Sequence, residues 1–329
     1  MPERLEVLKH WLEHELDLAD FTLKPASSDA SFRRYYRISH EGASYIVMDA
    51  PPDKEDSGPF ITVARLFLDV GLNVPEVMDE DLELGFLLLT DLGNRLYLDA
   101  LNDNTADRLY GDALGALVTI QASVSAYGVL PDYDYRLLMS EMGLFREWLV
   151  GQHLGISPGS AQSRLIDQAF TVLAENALAQ PQVCVHRDYH SRNLMVTAQN
   201  SPGIIDFQDA VIGPVTYDLV SLLRDCYIEW PQARVEGWAL GYHELAMQSG
   251  ILRAEECDAA AFLRWFDLMG MQRHLKAAGI FARLNHRDGK PGYLGDIPRT
   301  LGYVTQVAGR YPDLAAFGKF VEREVMARL

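Results

Sequence analysis

His186-Arg187-Asp188 is followed by Asn193, an H-R-D-x-x-x-x-N order placed where an apolar strand ends. A second apolar strand, Gly203-Ile204-Ile205, then delivers Asp206 and Phe207. These residue types in this order suit phosphoryl transfer. One carboxylate must accept the proton of an attacking hydroxyl, and a second carboxylate with an amide oxygen must hold Mg²⁺, whose charge neutralises the phosphates. Asp188 fits the first role, and Asn193 with Asp206 the second. Polar turn residues beside buried strands would explain any one of them, but they explain the ordered set poorly.

Two other motifs fail on physical grounds. His10, Glu13 and His14 form an H-x-x-E-H pattern, with both imidazoles on one helix face as metal ligands require. The opposite side of that helix carries a leucine stripe, so a solvated face explains the pattern better. Gly155-Ile156-Ser157-Pro158-Gly159 matches a nucleophile elbow, but Pro158 has no N–H to contribute to an oxyanion hole. No G-x-G-x-x-G loop and no P-loop is present, so a nucleotide must be held in another way.

The elements that must position the catalytic set follow from periodicity. Leu5, Leu8, Leu12 and Leu16, with Trp11, have helical spacing. Three strands follow in FTLKPA, RYYRISH and SYIVMDA, then a helix from Pro59 to Val70 ending at Gly71, then strands in VPEVMDED and GFLLLTDL. Beyond Asp91 helical patterns dominate: Thr105 to Tyr127, Leu137 to Val150, Ser163 to Leu178, Trp238 to Gln248 and Ala259 to Leu284. Short strands at Asn193 to Thr197 and Gly203 to Phe207 interrupt them. An α+β fold is expected, with a β-rich lobe over residues 1–91 and a helical lobe over 92–329.

At 329 residues the chain is too long for one ordinary core, and 48% hydrophobic with 23% charged residues excludes disorder. No apolar run is long enough for a membrane span. The acidic N-terminal stretch does not read as a signal peptide. Three scattered cysteines give neither a disulfide framework nor a zinc knuckle, so a reducing cytoplasm is the expected compartment. A net charge of -17 argues against nucleic acid or an anionic membrane as partner. No obligate protein partner is evident.

The set His186-x-Asp188-x-His190-x-x-Asn193, with Ile205-Asp206-Phe207, Gly213-Pro214 and Tyr217-Asp218-Leu219, resembles the aminoglycoside-phosphotransferase branch of the protein-kinase-like fold. That branch phosphorylates small molecules. The resemblance implies ATP and Mg²⁺ as cofactors, Asp188 as the catalytic carboxylate, and Asn193 and Asp206 as metal ligands. It also places Asp218, with His186, behind the catalytic loop as a brace. SSDASFRRYYRI, IVMDAPPDKED and MQRHLKAAGIFARLNHRDGK look like one subfamily, the anomeric kinases of N-acetylmuramate and N-acetylglucosamine of bacterial cell-wall recycling. Adenine is then expected against the backbone of Leu88 to Asp91, including Leu89 and Asp91.

The sequence departs from protein kinases in two places. Gln208 replaces the glycine of D-F-G, and the third strand offers no lysine. Arg33 and Arg34 are candidates for the phosphates on charge grounds, with Ser28 and Ser31 in a phosphate-facing turn of small residues. On the acceptor side, the segment from Arg264 to Arg299 carries seven basic residues against three acidic ones, which suits an anionic acceptor. Arg273, His274 and Lys276 are candidates there, with His190, Asp209 and Glu141 for other contacts to a small amino sugar. Two alternatives stay open: another small-molecule kinase of this fold, for an aminoglycoside, choline or fructosamine, and a non-catalytic nucleotide-binding module.

Overall fold

A computed structural model of the chain describes residues 2–28, 32–253, 255 and 257–329. The chain divides into two compact units, Met1–Leu96 with Leu194–Asp209, and Tyr97–Asn193 with Ala210–Leu329. A single cut after Asp91 does not anticipate that residues 194–209 fold with the first unit.

The first unit is built on five strands: β1 (Thr22–Ser28), β2 (Arg34–His40), β3 (Ala43–Asp49), β4 (Val77–Asp81) and β5 (Phe86–Thr90). They form one antiparallel sheet in the order β1-β2-β3-β5-β4, with Val47 opposite Leu88 and Met48 opposite Leu87. Side chains alternate between the two faces of a strand, and Phe86 to Leu89 are all buried, so both faces of β5 are covered. On one face lies helix α1 (Pro2–His10), continued by wider turns through Glu15. Its Leu8, Trp11 and Leu12 pack with Ile38, Val47, Phe86 and Leu88. His10, Glu13 and His14 are exposed on the other side of this helix, as a solvated face requires.

Helix α2 (Gly58–Asp69) links β3 to β4 and buries Phe60, Val63, Ala64 and Phe67. A proline in its first turn costs no hydrogen bond there. The returning segment forms a short hairpin, β7 (Leu194–Met195) with β8 (Gly203–Ile204), two residues a side where five were expected from the apolar runs. The Ile204 N–H donates to the Asn73 carbonyl (2.8 Å) and the Val196 N–H to that of Arg95 (2.8 Å). Phe207 lies against Phe60 and Phe67, with centroids at 4.9 and 5.7 Å. These contacts, more than the short ladder, fix the segment.

The second unit is mostly helical: α3 (Tyr97–Ala100), α4 (Ala106–Ser123), α5 (Tyr135–Leu144, widening through His153), α6 (Ser160–Leu178), α7 (Tyr217–Leu223), α8 (Gln232–Gln248), α9 (Ala259–Asp288), α10 (Ile297–Ala308) and α11 (Ala315–Phe320). One ladder joins β6 (Gln182–Val185) to β9 (Val211–Pro214). Sequence periodicity does not reveal α7 and β9, because every residue in them is buried and no polar face alternates. Helix α9 runs about 45 Å through the centre of this unit. Asp258 caps its N-terminus by accepting from the Ala261 N–H, and Gly289 at φ 65° ends it.

At Gly279 α9 passes so close to the α5 segment that a Cβ would stand 2.3 Å from the Leu144 carbonyl carbon and 2.5 Å from the Phe145 nitrogen. Backbone cannot yield as a flexible side chain can. Gly279→Ala is expected to lower stability by about 1–3 kcal/mol or more. Gly302→Ala, on α10 with no atom within 4 Å of its Cβ position, should instead raise it by up to about 1 kcal/mol. Denaturant midpoints decide between them; equal shifts of the same sign would show that the close helix crossing is misplaced.

Candidate active site

The loop after β6 is clamped from behind by two buried carboxylates. Asp218, at the start of α7, accepts from the backbone N–H of His186 (2.6 Å) and of Arg187 (3.0 Å). Asp225, just beyond α7, accepts from the Ser191 N–H (3.0 Å) and the Tyr227 N–H (3.0 Å). Sequence reading singled out Asp218 and missed Asp225. Arg187 takes a left-handed φ of 77°, uncommon for a residue with a side chain and a mark of a functionally constrained backbone. Burial pushes the Asp218 carboxyl up to about 7, against its two amide donors, which favour the charged form.

Asp188 itself is held from both sides. Its N–H lies 3.2 Å from His186 Nδ1, and its carbonyl accepts from the His190 N–H (3.0 Å) and from Asn193 Nδ2 (3.0 Å). With Nδ2 committed in this way, the orientation of the Asn193 amide is fixed, its oxygen at the other end. Burial works against charge on Asp188, but Lys276, His190, Arg273 and Arg187 overcome it and hold the carboxyl down to about 2. A group this acidic does not strip a sugar hydroxyl in the ground state. It orients the O–H and takes the proton as the oxygen becomes acidic during transfer.

Two of the cations around it share one counter-ion. Glu141 on α5 receives Arg187, the Lys276 ammonium (3.1 Å) and the Tyr133 hydroxyl, while Lys276 also donates to Tyr217 Oη (2.9 Å). Burial opposes its charge, yet Lys276 and Arg187 keep Glu141 below the usual carboxylate range. Glu141 is therefore the counter-ion of this cluster. Arg273 and Lys276 lie three residues apart on one face of α9, 5% and 8% exposed. Far from being solvated, this part of the basic segment faces Asp188. His274 points elsewhere: it stacks on Tyr303 (4.8 Å, 17°), donates Nε2–H to the Arg224 carbonyl (2.8 Å), and burial holds it neutral with a value of about 3. It sits in the core of the second unit.

In the first unit, Asp206 follows the short hairpin at φ 66°, also left-handed, and Gln208 Nε2 donates to its Oδ1 (2.8 Å). Phe207 anchors it on α2. Asp209 is exposed. Asp206 in the first unit offers a carboxylate and Asn193 in the second an amide, each a hard oxygen donor of the kind Mg²⁺ takes. Among the described residues no group of three or more His, Cys, Asp or Glu could hold a metal. Donors of this kind fit Mg²⁺ better than a softer metal.

The expected nucleotide residues are partly committed elsewhere. Arg33 pairs with Glu55 (3.2 Å), and Arg34 lies 3.8 Å from Asp49, which Arg4 also binds. Asp91 accepts from Arg37 (2.6 and 3.0 Å), from Ser44 Oγ (2.5 Å) and from the Gly93 N–H. Burial opposes its charge, but these donors keep it lowered. Its side chain is thus a clasp at the end of the sheet. Leu89 itself is buried in β5. Ser31 lies outside the described residues, and of Ser28 only its place at the end of β1 is described.

The Asp188 environment makes one pH prediction. Its carboxyl titrates below the ordinary 3.8, so the ionised form contributes stability that is present above about pH 4 and lost as pH falls through about 2. Lys276→Met removes the leading cation and should raise that value. The acid limb of kcat/KM is then expected to move to higher pH by about one unit. An unmoved limb would contradict the assignment of Lys276 as the main source of the field.

Comparison with known proteins agrees with this geometry. Residues 22–257 match the model of the phosphotransferase enzyme family (APH). The N-acetylmuramate/N-acetylglucosamine kinase of Pseudomonas putida is 47% identical over 98% of this chain and 97% of its own length. That of Neisseria meningitidis is 47% identical over 94% and 92%. Among solved structures, a choline kinase from Streptococcus pneumoniae superposes with a TM-score of 0.62 at 12% identity, covering 92% of this chain and 99% of that one. An ADP-bound aminoglycoside phosphotransferase gives 0.58 at 16%, covering 92% and 98%. At such identities the structures speak for the fold alone, which is protein-kinase-like α+β; on its match over most of its length, the chain belongs to the phosphotransferase enzyme family.

Proposed function

We propose that this chain is an ATP-dependent kinase that phosphorylates the anomeric hydroxyl of N-acetylmuramate and N-acetylglucosamine, in the cytoplasm and in the service of cell-wall sugar recycling. The relatives at 47–48% identity carry that activity in their names. The observation that carries the reading is Asp188 on a loop whose amides are pinned by Asp218 and Asp225. Asp188 orients the attacking hydroxyl and receives its proton. His190 and Arg273 stand on the acceptor side. Asn193 and Asp206 would hold Mg²⁺, which when bound neutralises phosphate charge. Residues 1–96 with 194–209 would supply the nucleotide contacts, and the remainder the acceptor site.

The structural neighbours include kinases of choline and ethanolamine, alcohols of quite different charge. Arg187, Arg273 and Lys276 around Asp188 disfavour a cationic acceptor. No helix is long and apolar enough to cross a membrane.

Asp188→Asn keeps size and removes the proton acceptor. Turnover should fall by roughly 10²–10⁴-fold with ATP affinity nearly intact, read by steady-state rates and nucleotide titration. A near-wild-type rate would end the assignment. Asp206→Ala should abolish turnover, and full activity in excess chelator would exclude the metal.

A further inference from the structure

Arg192 is half-buried on the catalytic loop, one residue before Asn193. Its guanidinium lies 3.6 Å from the centroid of Tyr227 and 5.7 Å from that of Tyr293. Among the described residues it makes no hydrogen bond and no ion pair, and sequence reading gave no signal for it. Other buried cations of this unit are paired: Arg187 and Lys276 with Glu141, Arg224 with Asp267 at 2.5 Å. Arg273 shares the anomaly. Its one hydrogen bond runs to Cys226 Sγ at 3.8 Å, and its Nε is buried without a partner.

The two cations meet at consecutive residues, Arg273 at Cys226 and Arg192 at Tyr227. His190 borders the same place, with its ring 5.4 Å edge-on to Tyr227 and its Nδ1 buried without a partner. Tyr227, Phe281 and Tyr293 form an aromatic wall, Phe281 stacking on Tyr293 at 5.6 Å and 16°. A guanidinium lying flat on a ring uses its face for attraction and keeps its in-plane N–H fork for an anion with two coplanar oxygens. The wall offers apolar surface to a short alkyl arm and thins the water around the ion pair, which strengthens it. A carboxylate on a short branched arm fits both features, and N-acetylmuramate carries one where N-acetylglucosamine has a hydroxyl.

We propose that Arg192, together with Arg273, reads the carboxylate of the acceptor and so sets the preference between acidic and neutral amino sugars. The inference rests on the kinase reading above. Its test is kcat/KM on both sugars for the wild type, Arg192→Met and Arg192→Lys. Arg192→Met should lose about 10- to 100-fold more on N-acetylmuramate than on N-acetylglucosamine. Arg192→Lys keeps the charge without the fork and should recover part of that loss. Equal losses on both sugars would place Arg192 in support of the loop or the phosphoryl group, and no loss on either would return it to the aromatic wall alone; either overturns the proposal while leaving the kinase reading intact. If the wild type phosphorylates neither sugar, the kinase reading falls and this inference with it.

Discussion

A carboxylate that stays charged while half-buried is the constraint on which the second unit depends. Left alone, Asp188 would take up a proton on burial, because removing a charge from water costs several kcal/mol. It is kept ionised by cations that are themselves largely out of water, and two of them share a counter-ion in turn. Glu141 serves Arg187 and Lys276 together. This explains why α9, the central helix, carries a charged face through the middle of a packed unit. It also explains why Arg224 and Asp267 form a further buried pair along it.

The same loop is held by its backbone. Asp218 and Asp225 between them bind four amide N–H groups, His186, Arg187, Ser191 and Tyr227, and the left-handed turn at Arg187 lies between two of these anchors. Strain of this kind persists only where the surroundings over-determine it. Tyr189, whose hydroxyl donates to the Ala113 carbonyl at 2.8 Å, fixes the loop from the α4 side. Asp188 is thus positioned through its backbone by buried groups behind the loop.

Much of this was legible in the sequence, for identifiable reasons. The five strands of the first unit announce themselves by turn residues and β-branched runs, and the H-R-D-x-x-x-x-N order names its own chemistry. What was not legible depends on pairing between distant positions. Glu141 and Lys276 are far apart in sequence, and nothing local shows that one neutralises the other, so both looked like substrate contacts. His274 sits beside Arg273, yet a 100° step around the helix turns it into the core. Residues 194–209 read as part of the helical half, but Asn73 and Phe60 bind them to the first unit. Arg192 gave no signal, because an unpaired arginine is recognised only once its neighbours are known.

The ionisation of Asp188 is the claim on which the rest stands, and carboxyl carbon-13 chemical shifts, assigned by difference against Asp188→Asn, measure it directly. The account predicts that the Asp188 signal keeps its carboxylate position from neutral pH down to about pH 4, consistent with a value held to about 2 by the surrounding cations. A titration midpoint at or above the ordinary 3.8 would contradict it.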